Sequence, residues 1–169
     1  MKTRRLAALG LLTGVALILF VIEAQIPPIV PVPGVKMGLA NIVTVFAVFM
    51  LGATDGTMVL AARVFLGSVF AGNFSSILYS AAGGVFAILT VIGLKRVLQE
   101  SQIWIAGCLG AVAHGIGQML VAVPVSGTPS ILIYLPVLTV CGILTGAFTG
   151  LCAQVLVNRG NGLWKTIFR

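Results

Sequence analysis

The sequence predicts an all-α integral membrane protein, a single domain over residues 1–169 with six transmembrane helices and both termini in the cytoplasm. Three observations carry that prediction. Hydrophobic residues make up 59% of the chain and charged residues only 8%, against about 25% charged in a typical globular domain. Six apolar runs are separated by proline, glycine or polar breaks. The basic residues gather at the ends of those runs, as topology signals do.

The same composition excludes other classes. Thirteen charged side chains, ten basic and three acidic, cannot solvate the surface of a compact soluble domain, whereas a bilayer would cover it. The net charge of +7 does not point to nucleic acid, because the basic residues form no patch with interleaved aromatics. Cys108, Cys141 and Cys152 lie inside apolar runs without metal-ligand or CxxC spacing, and read as small packing residues. The chain has no GxxxxGK[ST] motif, so no ATP-hydrolysing site is expected in it.

The first run, Leu6–Ala24, follows the basic start Lys2, Arg4 and Arg5. It is about 17 residues long, more than a secretory h-region requires, and no A-x-A-like cleavage site follows. It therefore reads as a retained transmembrane helix over 6–24, with Gly10 and Gly14 as a small-xxx-small pair for helix packing or partner docking. Four prolines in Gln25–Gly34 forbid helix there. That apolar segment reads either as a cap over the helix ends or as a stiff connector.

Helices are next expected over 37–53 and 57–72, with a tight turn at Thr54–Thr57. At 16–17 residues these are short for a hydrocarbon core of about 30 Å, and short spans border a cavity more often than lipid on every side. A fourth helix is expected over 77–94, ending at Lys95 and Arg96. After the polar linker Gln99–Gln102 comes a fifth over 103–123, then a turn at Pro124–Ser130. The sixth, over 131–157, holds Gly142, Gly146 and Gly150 at four-residue spacing, a close-packing signal. The tail from Asn158 is basic, with Trp164 suited to the membrane interface.

This arrangement places Lys2, Arg4, Arg5, Lys95, Arg96, Arg159, Lys165 and Arg169 inside and only Lys36 outside, with Arg63 within the membrane. Eight against one is a strong positive-inside bias.

The polar residues of the runs then fall at defined depths. Lys36 and Asn41 stand at the outer end of the second helix, and Arg63 stands near the middle of the third. Asn73, Tyr79 and Tyr134 stand at outer helix ends. His114 lies in the fifth helix, with Gln118 one turn outward on the same face. An ionisable side chain inside a membrane helix costs about 2.5–3.5 kcal/mol on insertion scales and usually faces a cavity. Together these residues suggest a substrate-binding pocket in the outer half, open to the extracytoplasmic side. Two cations with no compensating carboxylate except the distant Glu23 suit a ligand that is anionic or rich in carbonyl oxygens. Other readings stay open at this level. His114 and Gln118 could hydrogen-bond neighbouring helices, Arg63 could pair with Asp55, and Lys36 could be an interfacial lysine. No catalytic constellation and no metal cluster is legible, and a single aspartate cannot build the paired aspartate motifs that hold Mg²⁺ on a diphosphate.

The runs GVKMGLANIVTVFAVFMLG (34–52), ARVFLGSVFAGNF (62–74), SAAGGVFA (80–87) and GAVAHGIGQ (110–118) resemble, as a set, the Gx transporter family, also labelled heptaprenyl diphosphate synthase component I. Lys36, Asn41, Arg63, Gly67, Asn73, His114 and Gln118 match that family's signature positions. The family is similar to the S components of energy-coupling factor (ECF) transporters. The resemblance implies six helices and a small organic ligand bound from outside beneath the loop after the first helix. It also implies docking through small residues of that helix, here Gly10 and Gly14, to an ECF T component driven by two ATPases. A flavin, a quinone precursor or an isoprenoid-related compound is the implied ligand class, no cofactor is implied, and the bacterial plasma membrane is the implied location. The alternative it carries is an accessory membrane subunit of an isoprenoid-synthesis or extracytoplasmic electron-transfer complex. The enzymatic label finds no support in the residues.

Overall fold

The structure is a computed structural model that describes residues 2–26, 38–71 and 75–168. These residues form six α-helices: α1 (Lys2–Ala24), α2 (Asn41–Leu51), α3 (Ala53–Ala71), α4 (Ser75–Lys95), α5 (Ile103–Ser126) and α6 (Leu135–Phe168). Short 3₁₀ turns at Glu100–Gln102 and Pro129–Tyr134 precede α5 and α6. No strand occurs among the described residues. Five of the helices are long and apolar enough to cross a membrane, and α2 is a shorter apolar helix.

Six full spans were expected, and the second is the one that differs. At 11 residues, α2 is about 17 Å long at 1.5 Å per residue, and the expected start at residue 37 gives way to a turn through Gly38–Ala40. Its surroundings explain the length. It packs against each of the other five helices, and every residue from Val43 to Val48 is buried. A helix enclosed by protein need not match the hydrocarbon thickness, because lipid never meets its ends. Its β-branched and aromatic content (Val43, Val45, Phe46, Val48) supplies the centre of the main apolar core, with Leu12, Ala16, Val59, Leu60, Ile88 and Val91 around it.

The break between α2 and α3 also lies elsewhere than expected. It is at Gly52, with φ of 109°, a backbone region that a β-carbon disfavours. Thr54–Thr57 forms the first turn of α3 instead, with the Thr57 hydroxyl donating to the Ala53 carbonyl at 2.8 Å. Asp55 sits in that turn, where a carboxylate meets the positive end of the helix dipole. Gly56 lets α2 and α3 approach, since a β-carbon there would collide with Val48 Cγ2 and lie 3.1 Å from the Val48 backbone nitrogen.

Charge fastens the end of the bundle where α1 begins. Arg5 on α1 donates from Nε and Nη2 to the Asp55 carboxylate at 2.5–3.1 Å. Lys95, at the last residue of α4, donates to the carbonyls of Val48 and Phe49 at 2.5 and 3.2 Å. These carbonyls belong to the last turn of α2, where the helix dipole is negative; the Val48 carbonyl also accepts the Gly52 N–H at 3.2 Å.

On the other side of the bundle, α5 and α6 touch backbone to backbone. A β-carbon on Gly146 would lie 2.7 Å from Cys108 Cα and from the Gly107 carbonyl, and one on Gly150 would lie 2.7 Å from Trp104 Cα. Gly142 is looser, with Ala111 at 3.5 Å. By contrast Gly10 and Gly14 have nothing within 4 Å, so they do not serve packing within the described chain. The sixth helix runs on to Phe168, so the basic tail continues it rather than leaving it.

Gly146→Leu should lower stability in detergent by at least about 1–3 kcal/mol, the cost of overpacking a tight contact. Gly142→Ala and Gly10→Leu should stay within about 0.5 kcal/mol of the parent, as open sites do. Thermal unfolding of the three purified variants checks this ordering.

Candidate functional site

Two close helix contacts create the site. α4 and α5 meet at Gly83 and Gly117, where a β-carbon on Gly117 would lie 2.7 Å from the Ala82 carbonyl. Gly83 in turn lies under His114 and Gln118, for its own β-carbon would sit 2.8 Å from His114 Cε1 and 2.9 Å from Gln118 Cγ. α1 and α3 meet where Gly67 faces the Phe20 ring at 3.2–3.4 Å. Phe20 is one turn before Glu23 and Gly67 one turn after Arg63, so this contact brings the end of α1 towards the middle of α3.

At the centre stands Glu23, 4% exposed. Its carboxylate accepts the backbone N–H of Gly38 and, at 3.1 Å, that of Leu39. Those donors open the turn into α2, so the carboxylate fixes where α2 starts. Gly38 has φ of 86°, and a β-carbon on it would lie 2.7 Å from Asn41 Nδ2 and 3.9 Å from His114 Cδ2. Both the backbone conformation and the crowding call for glycine.

Among the residues expected from the sequence, Asn41, Arg63, His114 and Gln118 are all buried, at 1–6% exposure, and come from α2, α3 and α5. Several of their polar atoms have no hydrogen-bond partner among the described residues: Asn41 Nδ2 and Oδ1, Arg63 Nε and Nη2, and His114 Nδ1. Thr44 Oγ1 shares that condition and lies one turn from Asn41 on the same face of α2. A buried polar group left unpaired costs about 1–3 kcal/mol, and such groups are rare enough in native proteins that each calls for an explanation. Six such atoms on four helix-borne side chains are left without a hydrogen-bond partner among the described residues.

Tyr79 and Tyr134 are placed differently. They pack with Met119, Ala122, Leu135 and Leu138 in a separate apolar cluster, one helical turn along α4 from Gly83. Lys36 and Asn73 lie outside the described residues, as does most of the proline-rich segment read from the sequence as either a cap or a connector.

Glu23, expected to be distant, is buried and accepts the N–H groups of Gly38 and Leu39 just before Asn41. The pairing of Arg63 with Asp55 is not what forms, since the Asp55 carboxylate is held by Arg5 at 2.5 Å. Thr44, Gly38 and Gly83 are the residues that sequence reasoning does not single out. A lone carboxylate at the end of an apolar helix is the available signal for Glu23. Thr44 is legible only as the i+3 neighbour of Asn41.

The comparisons with known proteins give one match. No curated protein matches the chain, and no solved structure does. The family model described as heptaprenyl diphosphate synthase component I matches residues 12–156, a stretch that includes α2 to α5 entire, Glu23, and every described polar residue of the site. On that match, the chain belongs to the heptaprenyl diphosphate synthase component I family.

Proposed function

We propose that this chain is a membrane-embedded substrate-binding subunit, of the S-component kind, for uptake of a small organic molecule, and that it performs no chemistry of its own. The observation that carries the reading is the group of unpartnered polar atoms on Asn41, Thr44, Arg63 and His114. They sit on helices that are otherwise mainly apolar. A ligand that supplies the missing hydrogen bonds removes their desolvation cost, and binding is driven by that difference.

The orientation rests on the basic residues, eight at one end of the helices and Lys36 at the other. It puts both termini in the cytoplasm and the site in the extracytoplasmic half of a bacterial plasma membrane. Energy for uptake then comes from a partner, an ECF T component with its ATPases. The open face of α1 around Gly10 and Gly14, with nothing within 4 Å of either glycine, is the surface offered to it. Isoprenyl diphosphate synthesis is a poor fit for the residues present. Asp55 is the chain's one aspartate and is bound to Arg5, whereas Mg²⁺ on a diphosphate requires several carboxylate oxygens.

A second reading is favoured by the family's description, which names a component of a synthase. In it the chain is an accessory membrane subunit of an isoprenoid-synthesis or extracytoplasmic electron-transfer complex. Copurification separates the two. A T component with ATPases, or a small molecule retained through purification, supports uptake. A synthase or redox protein with no retained ligand supports the accessory role.

Arg63→Ala should weaken binding of the retained molecule by about 2–4 kcal/mol, the range for truncating one half of a buried polar pair. Asp55→Asn, whose side chain belongs to the Arg5 contact, should leave binding unchanged. Equal losses in both variants, or loss of folding alone in Arg63→Ala by thermal melt, would make Arg63 a structural residue. His114→Ala and Gln118→Ala should change selectivity among related ligands more than melting temperature.

For the orientation, Thr128→Cys should react with an impermeant thiol reagent added outside intact cells. Reaction only after permeabilisation would invert the topology.

A further inference from the structure

We propose that the corner of the bundle where α1 begins and α4 ends is a docking site for an anionic phospholipid, held by its phosphate headgroup. The residues that form it are separate from those of the polar site above.

One apolar span opens at Thr3 and another closes at Lys95, so Arg4, Arg5, Lys95 and Arg96 stand at span ends, the level of lipid headgroups. The fold links the two basic pairs. Arg5 holds the Asp55 carboxylate at 2.5 Å. A β-carbon on Gly56, the next residue, would lie 3.1 Å from the Val48 backbone nitrogen, and the Val48 carbonyl accepts from Lys95 Nζ at 2.5 Å. Since α1 and α4 share no direct contact, it is the α2–α3 junction that bridges the basic pairs.

Most of the charge at this corner is not offset within the described chain. Asp55 is engaged by Arg5, while Lys95 is held by neutral carbonyls. Arg4 and Arg96 are exposed and form no ion pair among the described residues. Glu100, the next carboxylate along the chain, stands on the 3₁₀ turn before α5 and has an interaction of its own. Four cations therefore share the single carboxylate of Asp55.

Apolar side chains stand beside these cations. Leu6, 71% exposed, follows Arg5, and Val97, 80% exposed, follows Arg96. A soluble anion makes no use of such neighbours. A phospholipid uses both features, because its phosphate oxygens take charge-assisted hydrogen bonds from guanidinium groups and its acyl chains cover the apolar residues. Lys and Arg next to a membrane surface attract anionic lipid by about five-fold per cation.

Native mass spectrometry of the purified full chain in detergent reads bound lipid directly. It is titrated with phosphatidylglycerol and with phosphatidylcholine of the same acyl chains. Phosphatidylglycerol should be retained at least about ten-fold more tightly, and excess inorganic phosphate should not displace it. Arg4→Gln combined with Arg96→Gln removes two cations that hold nothing else in the described chain. That variant should lose about 25-fold in phosphatidylglycerol affinity, keep its affinity for phosphatidylcholine, and melt at the parent's temperature. Should the double variant fold poorly, Arg96→Gln alone should show a loss of about five-fold. Equal retention of the two lipids, or a preference that survives these substitutions, would overturn the proposal. Displacement by inorganic phosphate would overturn the lipid as occupant and leave a site for the free anion.

Discussion

Inside a bilayer there is no water to complete a hydrogen bond, and this one constraint organises the molecule. The backbone meets it by being helical almost throughout the described residues, and at one end of the bundle charged side chains meet it locally. Arg5 closes on Asp55, and Lys95 closes on the last carbonyls of α2. Glu23 performs the same task at its own end of the chain's first helix, by accepting the two N–H groups that precede α2. Against that background the unpartnered atoms of Asn41, Thr44, Arg63 and His114 stand apart.

The short helix α2 ties these features together. It can be 11 residues long because five other helices enclose it. It is anchored at its first turn by Glu23 and at its last by Lys95. Asn41 and Thr44 thereby become fixed points of the site rather than side chains on a mobile loop. Such positioning on rigid elements keeps polar atoms unpaired without letting them rotate to find partners within the protein. The stability lost by leaving them unpaired is set against the tight apolar contacts of α5 with α6 and of α2 with α3.

Composition and segment pattern determined the class on their own. A chain this apolar, with breaks at proline, glycine and polar clusters, has no alternative to a helical membrane protein, since lipid tolerates little else. Asn41, Arg63, His114 and Gln118 were legible too, because polar residues inside apolar runs are expensive wherever they point. The four-residue glycine spacing of α6 correctly indicated a close helix contact, yet which helix it meets was not readable. Tertiary structure decided the rest. Phe20 and Gly67 are forty-seven residues apart and come into contact only in the folded bundle. Arg5 and Asp55 are fifty apart and pair only because α1 and α3 lie side by side. Periodicity fixes which face of a helix a residue occupies, but not which other helix that face meets. For that reason the sequence determined the cast of polar residues, and the packing alone determined their partners.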